Sequence, residues 1–187
     1  RSLSDQALPS MVAVELTNTC NLRCAKCPLV RTSRKRGFMD DALFEKILHD
    51  IESAGAPTEI ALSGSGEPTL HPRLVEYVKA ARSIPNVGGI GFATNGVELT
   101  PGLSESLLDA GLTRLKASLD TDDAVEYLRL NGRDAYARVA ANFLSFCEIN
   151  RTTGNRCRVT LKSTLYKNDL SLGRRLEERW SPYVDQV

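Results

Sequence analysis

The chain has 187 residues, with 24 Lys and Arg against 23 Asp and Glu, and a hydrophobic share of 42%. That length falls short of a full eight-unit α/β barrel, which needs about 250 residues, and the composition excludes wholesale disorder. The near balance of charge makes no global case for a nucleic-acid or membrane-surface partner, and no run of about 18 apolar residues exists to span a bilayer.

In chain order, residues 12–16 form a short strand-like run ahead of a cysteine-rich loop. Asp40 is placed to N-cap a helix in which Leu43, Phe44, Ile47, Leu48 and Ile51 recur at helical spacing, with Gly55 and Pro57 ending it. A second strand is expected over 59–62, then a helix from about Pro72 with Leu74, Val75, Val78 and Ala81 as its stripe. A third strand is expected over 87–93 and a helix over 101–110, stopped by Gly111. The fourth strand, 113–119, alternates, with Leu115, Ala117 and Leu119 on one face. Helices are expected over 124–130 and 136–149, a fifth strand over 158–165, a helix over 171–180, and the start of a sixth strand over 183–187. Strands alternating with helices of 10–15 residues imply a parallel sheet. The chain thus reads as α/β, with five complete strand–helix units and the start of a sixth.

Five cysteines cannot all pair, and Cys20, Cys24 and Cys27 lie within eight residues of one another. The N-terminus has no basic-then-apolar signal pattern, and clustered thiols suit a reducing compartment, so a cytoplasmic location is expected. The chain lacks an initiator Met, as a processed or trimmed chain would. The spacing C-x3-C-x2-C brings three thiolates to one short loop. Zinc prefers four protein ligands, and a fourth, such as His71, is not close in sequence. A four-iron cluster on three cysteines keeps one iron free for another ligand. Free thiols and a zinc site stay as the alternatives.

With the stretch Glu-Leu-Thr-Asn-Thr-Cys20-Asn-Leu-Arg-Cys24, this motif after a strand resembles the radical S-adenosylmethionine (radical SAM) superfamily. The resemblance implies that the five units and the start of a sixth form an α/β partial (β/α)6 TIM-like barrel, truncated near strand six, and that one [4Fe-4S] cluster is held by Cys20, Cys24 and Cys27. It also implies SAM chelated to the fourth iron and cleaved to methionine and a 5′-deoxyadenosyl radical. Leu22 is then expected near the adenine side, or as an ordinary loop anchor.

Further motifs lie at strand ends, where α/β sheets put their ligands. Strand two runs into Ser63-Gly64-Ser65-Gly66-Glu67-Pro68, which resembles the family's Gly-Gly-Glu-Pro, with Ser65 where a Gly often stands. The resemblance assigns Gly66 and Glu67 to the methionine amino group of SAM. Strand three ends in Thr94-Asn95-Gly96, readable as a turn or as a polar edge at which Asn95 faces SAM. Strand four ends in Ser118-Leu119-Asp120; the resemblance places Ser118 near the SAM ribose or carboxylate. Asp120 is left between substrate, SAM and a helix cap. Relatives carry Arg-Gly where this chain has Asn131-Gly132, so Arg129 or Arg133 is expected at the SAM carboxylate. One of Lys162 and Ser163 should face into the barrel.

Arg31, Arg34, Lys35 and Arg36 form a basic run behind the cysteine loop, read as support for an anionic cluster, as a greeting for an acidic partner, or as a solvated loop. His71 is expected to be structural, Cys147 buried, and Cys157 partly exposed. No residue is singled out as catalytic.

The composite expectation is a radical SAM core over 1–187 that takes hydrogen from an unidentified peptide or small molecule. It would draw electrons from an external flavodoxin or ferredoxin. The segment from Trp180 to Val187 resembles the approach to a C-terminal SPASM or twitch extension, which is expected beyond this chain. The competing reading is a non-catalytic iron–sulfur or zinc-binding module, which has no need of Glu67 and Ser118.

Overall fold

The computed structural model describes residues 9–165 and 169–187. Five parallel strands lie in sequence order in one sheet: β1 (Met11–Ala13), β2 (Thr58–Ala61), β3 (Val87–Thr94), β4 (Arg114–Ser118) and β5 (Arg158–Lys162). Between and after them run α1 (Asp41–Ala54), α2 (Leu74–Arg82), α3 (Pro101–Asp109), α4 (Ala124–Asn131), α5 (Tyr136–Thr152) and α6 (Leu170–Trp180). This is the predicted α/β partial barrel. Among the described residues, no helix is long and apolar enough to cross a membrane.

The helix signals act as read. The Asp40 side chain accepts from Leu43 N at 2.8 Å, and Gly55 closes α1 in the left-handed region. Phe44 of α1 stacks on Tyr77 of α2 with ring centroids 3.9 Å apart, tying the first two helices together. On β4, Leu115 and Ala117 are buried against the helices, and alternation turns Arg114, Lys116 and Ser118 to the concave face. Arg114 reaches Glu59 of β2 there in a two-pronged ion pair.

Several boundaries move. β1 is shorter than 12–16 because the chain leaves the sheet to pair Thr17 with Phe38 in an antiparallel bridge. That bridge carries residues 14–19 across the strand ends. α2 starts two residues later than Pro72, and β5 ends at Lys162; part of the segment after it lies outside the described residues. The expected sixth strand is reduced to one parallel bridge, Thr160 to Gln186, in which Leu161 N donates to Gln186 O at 2.8 Å. Cys157 is buried, 2% exposed, rather than partly exposed: it enters β5 beneath α5, where Asn150 bonds both its amide and its carbonyl.

Candidate active site

Cys20, Cys24 and Cys27 are free thiols lining one cavity of about 410 Å³ at the C-terminal ends of the strands. Glu67, Asn95, Ser118, Asp120 and Lys162 share its wall. The parallel sheet makes this convergence: every strand runs out at the same end, so residues tens of positions apart meet.

Backbone contacts place the cysteine loop. Gly66 N donates to Thr17 O at 3.1 Å and Glu67 N to Thr19 O at 2.8 Å. The approach is so close that a Cβ on Gly66 would stand 2.3 Å from Thr17 O, so only glycine fits. On the far side, Arg23 N and Ala25 N donate to the carbonyls of Asn131 and Leu130 at 3.0 and 2.9 Å. Leu22 joins the hydrophobic core, as a loop anchor would, and also lines the cavity.

Burial and the neighbouring thiols push Cys24 up to about 11, and burial raises Cys20 as well. Three thiols this close resist joint ionisation until a positive centre accompanies them. Among the described residues, no three His, Cys, Asp or Glu groups are drawn together tightly enough for a single metal ion. Three cysteine ligands fall one short of a structural zinc site and suit a four-iron cluster that keeps one iron free for another ligand. His71 is no fourth ligand: its Nδ1 accepts from Arg73 N at 3.2 Å and its Nε2 faces Met39 O at 3.2 Å. It is structural, as expected.

Glu67 is the most tightly held acid of the site, 3% exposed. It accepts from Thr94 Oγ1 (2.7 Å), Asn95 N (2.8 Å), and Thr69 Oγ1 and N (2.8 and 3.2 Å). Burial nevertheless raises its pKa above the ordinary glutamate value. A buried carboxylate still short of positive charge is a receptor for a cation such as an ammonium.

Asn95 shapes the expected turn and also lines the cavity. Its Oδ1 accepts from Val97 N (3.0 Å) to shape the turn at Gly96, while its Nδ2 donates to Asn21 Oδ1 (2.8 Å) and approaches Cys20 Sγ (3.7 Å). Ser118 is exposed on the cavity wall. Asp120 does not cap α4; Asp123 does, accepting from Glu126 N at 2.7 Å. Asp120 instead ion-pairs with Lys26 and accepts from Thr164 N at 2.8 Å.

Neither arginine lines the cavity. Arg129 lies on an exposed face of α4 with its Nε donating to Glu126 Oε2 at 2.7 Å, and Arg133 is exposed on the following loop. The cavity cations are Lys26 and Lys162, so Lys162 rather than Ser163 faces inward. Lys26, Tyr127 and Asn131 carried no assigned role in the sequence; the one available signal was the spacing of Tyr127 and Asn131, four apart on a helix. The basic run is also partly structural. Arg36 donates to Asn18 O (2.5 Å) and Leu29 O (2.8 Å), and Arg34 pairs with Glu15 at 2.5 Å. Arg34 holds the Glu15 carboxyl down at about 2, and Glu15 in turn accepts from Ser65 N at 2.7 Å.

Residues 14–159 match the sequence profile of the Radical SAM superfamily. The chain is 32% identical over 129 residues to GTP 3′,8-cyclase of Chlorobaculum tepidum, covering 69% of this chain and 38% of that protein. It is 37% identical over 108 residues to the tungsten-containing aldehyde ferredoxin oxidoreductase cofactor-modifying protein of Pyrococcus furiosus, covering 57% of this chain and 30% of that one. Streptococcus suis SuiB, solved bound to S-adenosylmethionine, shares the fold with a TM-score of 0.71 and 20% identity, over 92% of this chain and 38% of its own. The chain thus spans less than two fifths of the length of each of these proteins.

Proposed function

This chain belongs to the radical SAM superfamily, whose members use a [4Fe-4S] cluster and SAM, and we propose that it is the catalytic core of an enzyme acting on a substrate held at the barrel mouth. The observation that carries the reading is the single cavity shared by Cys20, Cys24, Cys27, Glu67 and Ser118. Bound there, the two cofactors supply one-electron cleavage of SAM to methionine and a 5′-deoxyadenosyl radical that takes a hydrogen atom from the substrate.

The chain's own residues bind and orient. The three cysteines ligate three irons. Glu67, backed by Gly66 and braced by Thr94 and Asn95, accepts from the SAM ammonium. Ser118 faces the ribose or carboxylate. For the carboxylate we favour Lys162 over Arg129 and Arg133, because it lines the cavity and they do not. The concave face below adds Lys116, on the strand that ends in Ser118 and in no ion pair among the described residues, so the reading favours a substrate with an anionic group. Whether peptide or small molecule, it would be met in the cytoplasm, with flavodoxin or ferredoxin as electron donor. A C-terminal SPASM or twitch extension would complete the protein.

The test is anaerobic reconstitution of the full-length protein, counting iron and sulfide, then reduction with SAM present. Four irons per chain and 5′-deoxyadenosine are expected. Iron and sulfide without 5′-deoxyadenosine would sink the enzyme reading and leave a non-catalytic iron–sulfur module.

A further inference from the structure

Helix α4 supports the cysteine loop from behind. Its last carbonyls, at Leu130 and Asn131, accept the amides of Ala25 and Arg23, the two neighbours of Cys24. Terminal helix carbonyls have no partner inside the helix, so the loop supplies one. Side chains on the same helix then address the site. Tyr127 and Asn131, four residues apart, share a helix face, and both line the cavity.

Their present bonding is incomplete or mismatched to a ligated cysteine. Asn131 Oδ1 accepts from the Cys24 thiol at 3.1 Å. A cysteine bound to iron has no proton and can only accept, so the amide must turn its Nδ2 toward the sulfur. That Nδ2 now donates to Tyr127 O at 3.1 Å; the carbonyl keeps its ordinary helix bond when the amide turns. Tyr127 is 2% exposed, and its hydroxyl is buried with no hydrogen-bond partner. Folded proteins rarely leave such a group unsatisfied. A phenol is protonated at neutral pH, so this hydroxyl is a donor in search of an acceptor.

We propose that Tyr127 and Asn131 are positioning residues that donate hydrogen bonds to the sulfur atoms around the iron held by Cys24. Such bonds favour the reduced, more negative cluster and raise its reduction potential. The inference rests on the reading that Cys20, Cys24 and Cys27 hold the cluster.

The experiment compares the reconstituted full-length protein with Tyr127→Phe, which removes one oxygen and keeps the ring, and with Asn131→Ala. Iron and sulfide are counted first. The midpoint potential is then read by a redox titration monitored by electron paramagnetic resonance, without SAM. The expected result is four irons in every protein and a lower potential in both variants. Potentials equal to wild type overturn the proposal, as does a change seen only once SAM is added, which would assign the hydroxyl to SAM. Loss of iron from a folded Tyr127→Phe protein also overturns it, since the residue would then serve assembly and not tuning. Wild-type protein that takes up no iron would sink the cluster reading itself, a separate failure.

Discussion

Lys26, on the cysteine loop, and Asp120, at the end of β4, are ion-paired across the cavity, although 94 residues separate them. The Asp120 side chain is 11% exposed and holds Thr164 N with its other oxygen. The pair latches the loop to the far side of the sheet.

Asp120→Ala should therefore remove the acceptor of an ammonium and of an amide, both within reach of water, at a cost of about 0.5–1.5 kcal/mol. Thermal unfolding is expected to shift down accordingly. Asp120→Asn should lose less, because the amide oxygen still accepts from Thr164 N. Equal melting temperatures for Asp120→Ala and wild type would refute the latch.

Gly66→Ala tests the close approach of two backbones. The added Cβ meets Thr17 O at 2.3 Å and Thr19 O at 2.6 Å, and overpacking of this kind costs about 1–3 kcal/mol. Since those carbonyls belong to the segment leading into Cys20, iron uptake should fall along with stability. Gly37→Ala, where nothing lies within 4 Å of the new atom, is the control and should behave as wild type. Two variants with the same iron content would contradict the bracing role.

Glu67→Gln separates affinity from stability. The carboxyl's folded pKa is raised above its ordinary value of 4.5, so the folded state holds this proton more tightly than the unfolded one. Its stabilising share is complete below that value and is lost as pH rises through the raised folded pKa. Wild type should thus show a downward component in stability over this range that Glu67→Gln lacks, measured by urea unfolding at a series of pH values. SAM binding should weaken by about tenfold or more, the loss of one charge-assisted hydrogen bond. Parallel pH profiles would show that Glu67 is not the group responsible.

Cys24→Ala and Cys147→Ala should differ in kind. The first removes a ligand and is expected to abolish the brown absorbance of the reconstituted protein. The second removes a buried core atom, 6% exposed as a residue, and should cost about 1–2 kcal/mol of stability while iron stays bound. Retained colour in Cys24→Ala would refute the ligand assignment.

What could be read from the residues alone was what is local. The spacing of Cys20, Cys24 and Cys27, the small residues before Glu67, and the Asn95-Gly96 turn are each complete within a few positions, and the strand period of β4 places Ser118 and Asp120 on one face. The face of Lys162 could not be decided because period two divides neighbours without saying which side is the barrel's. Asp120 and Asp123 compete as caps within one loop, and only the start of α4 decides between them. Asn131 stayed hidden because its partner, Cys24, is 107 residues away, and no local pattern reports such a contact. The structural part of the basic run was hidden for the same reason: Arg36 ends on the Asn18 and Leu29 carbonyls.

The dependence of the cysteine loop on α4 also has a meaning in time. During synthesis, Cys24 leaves the ribosome well before Asn131, which comes 107 residues later. At roughly 5–20 residues per second, this leaves roughly 5–20 s in which the thiols have been made and their support has not. Through that interval the loop lacks its α4 bonds and its cavity wall, and the thiols are open to oxidation and stray metals. If these cysteines hold the cluster as proposed, correct loading would follow completion of the fourth βα unit rather than the appearance of the cysteines.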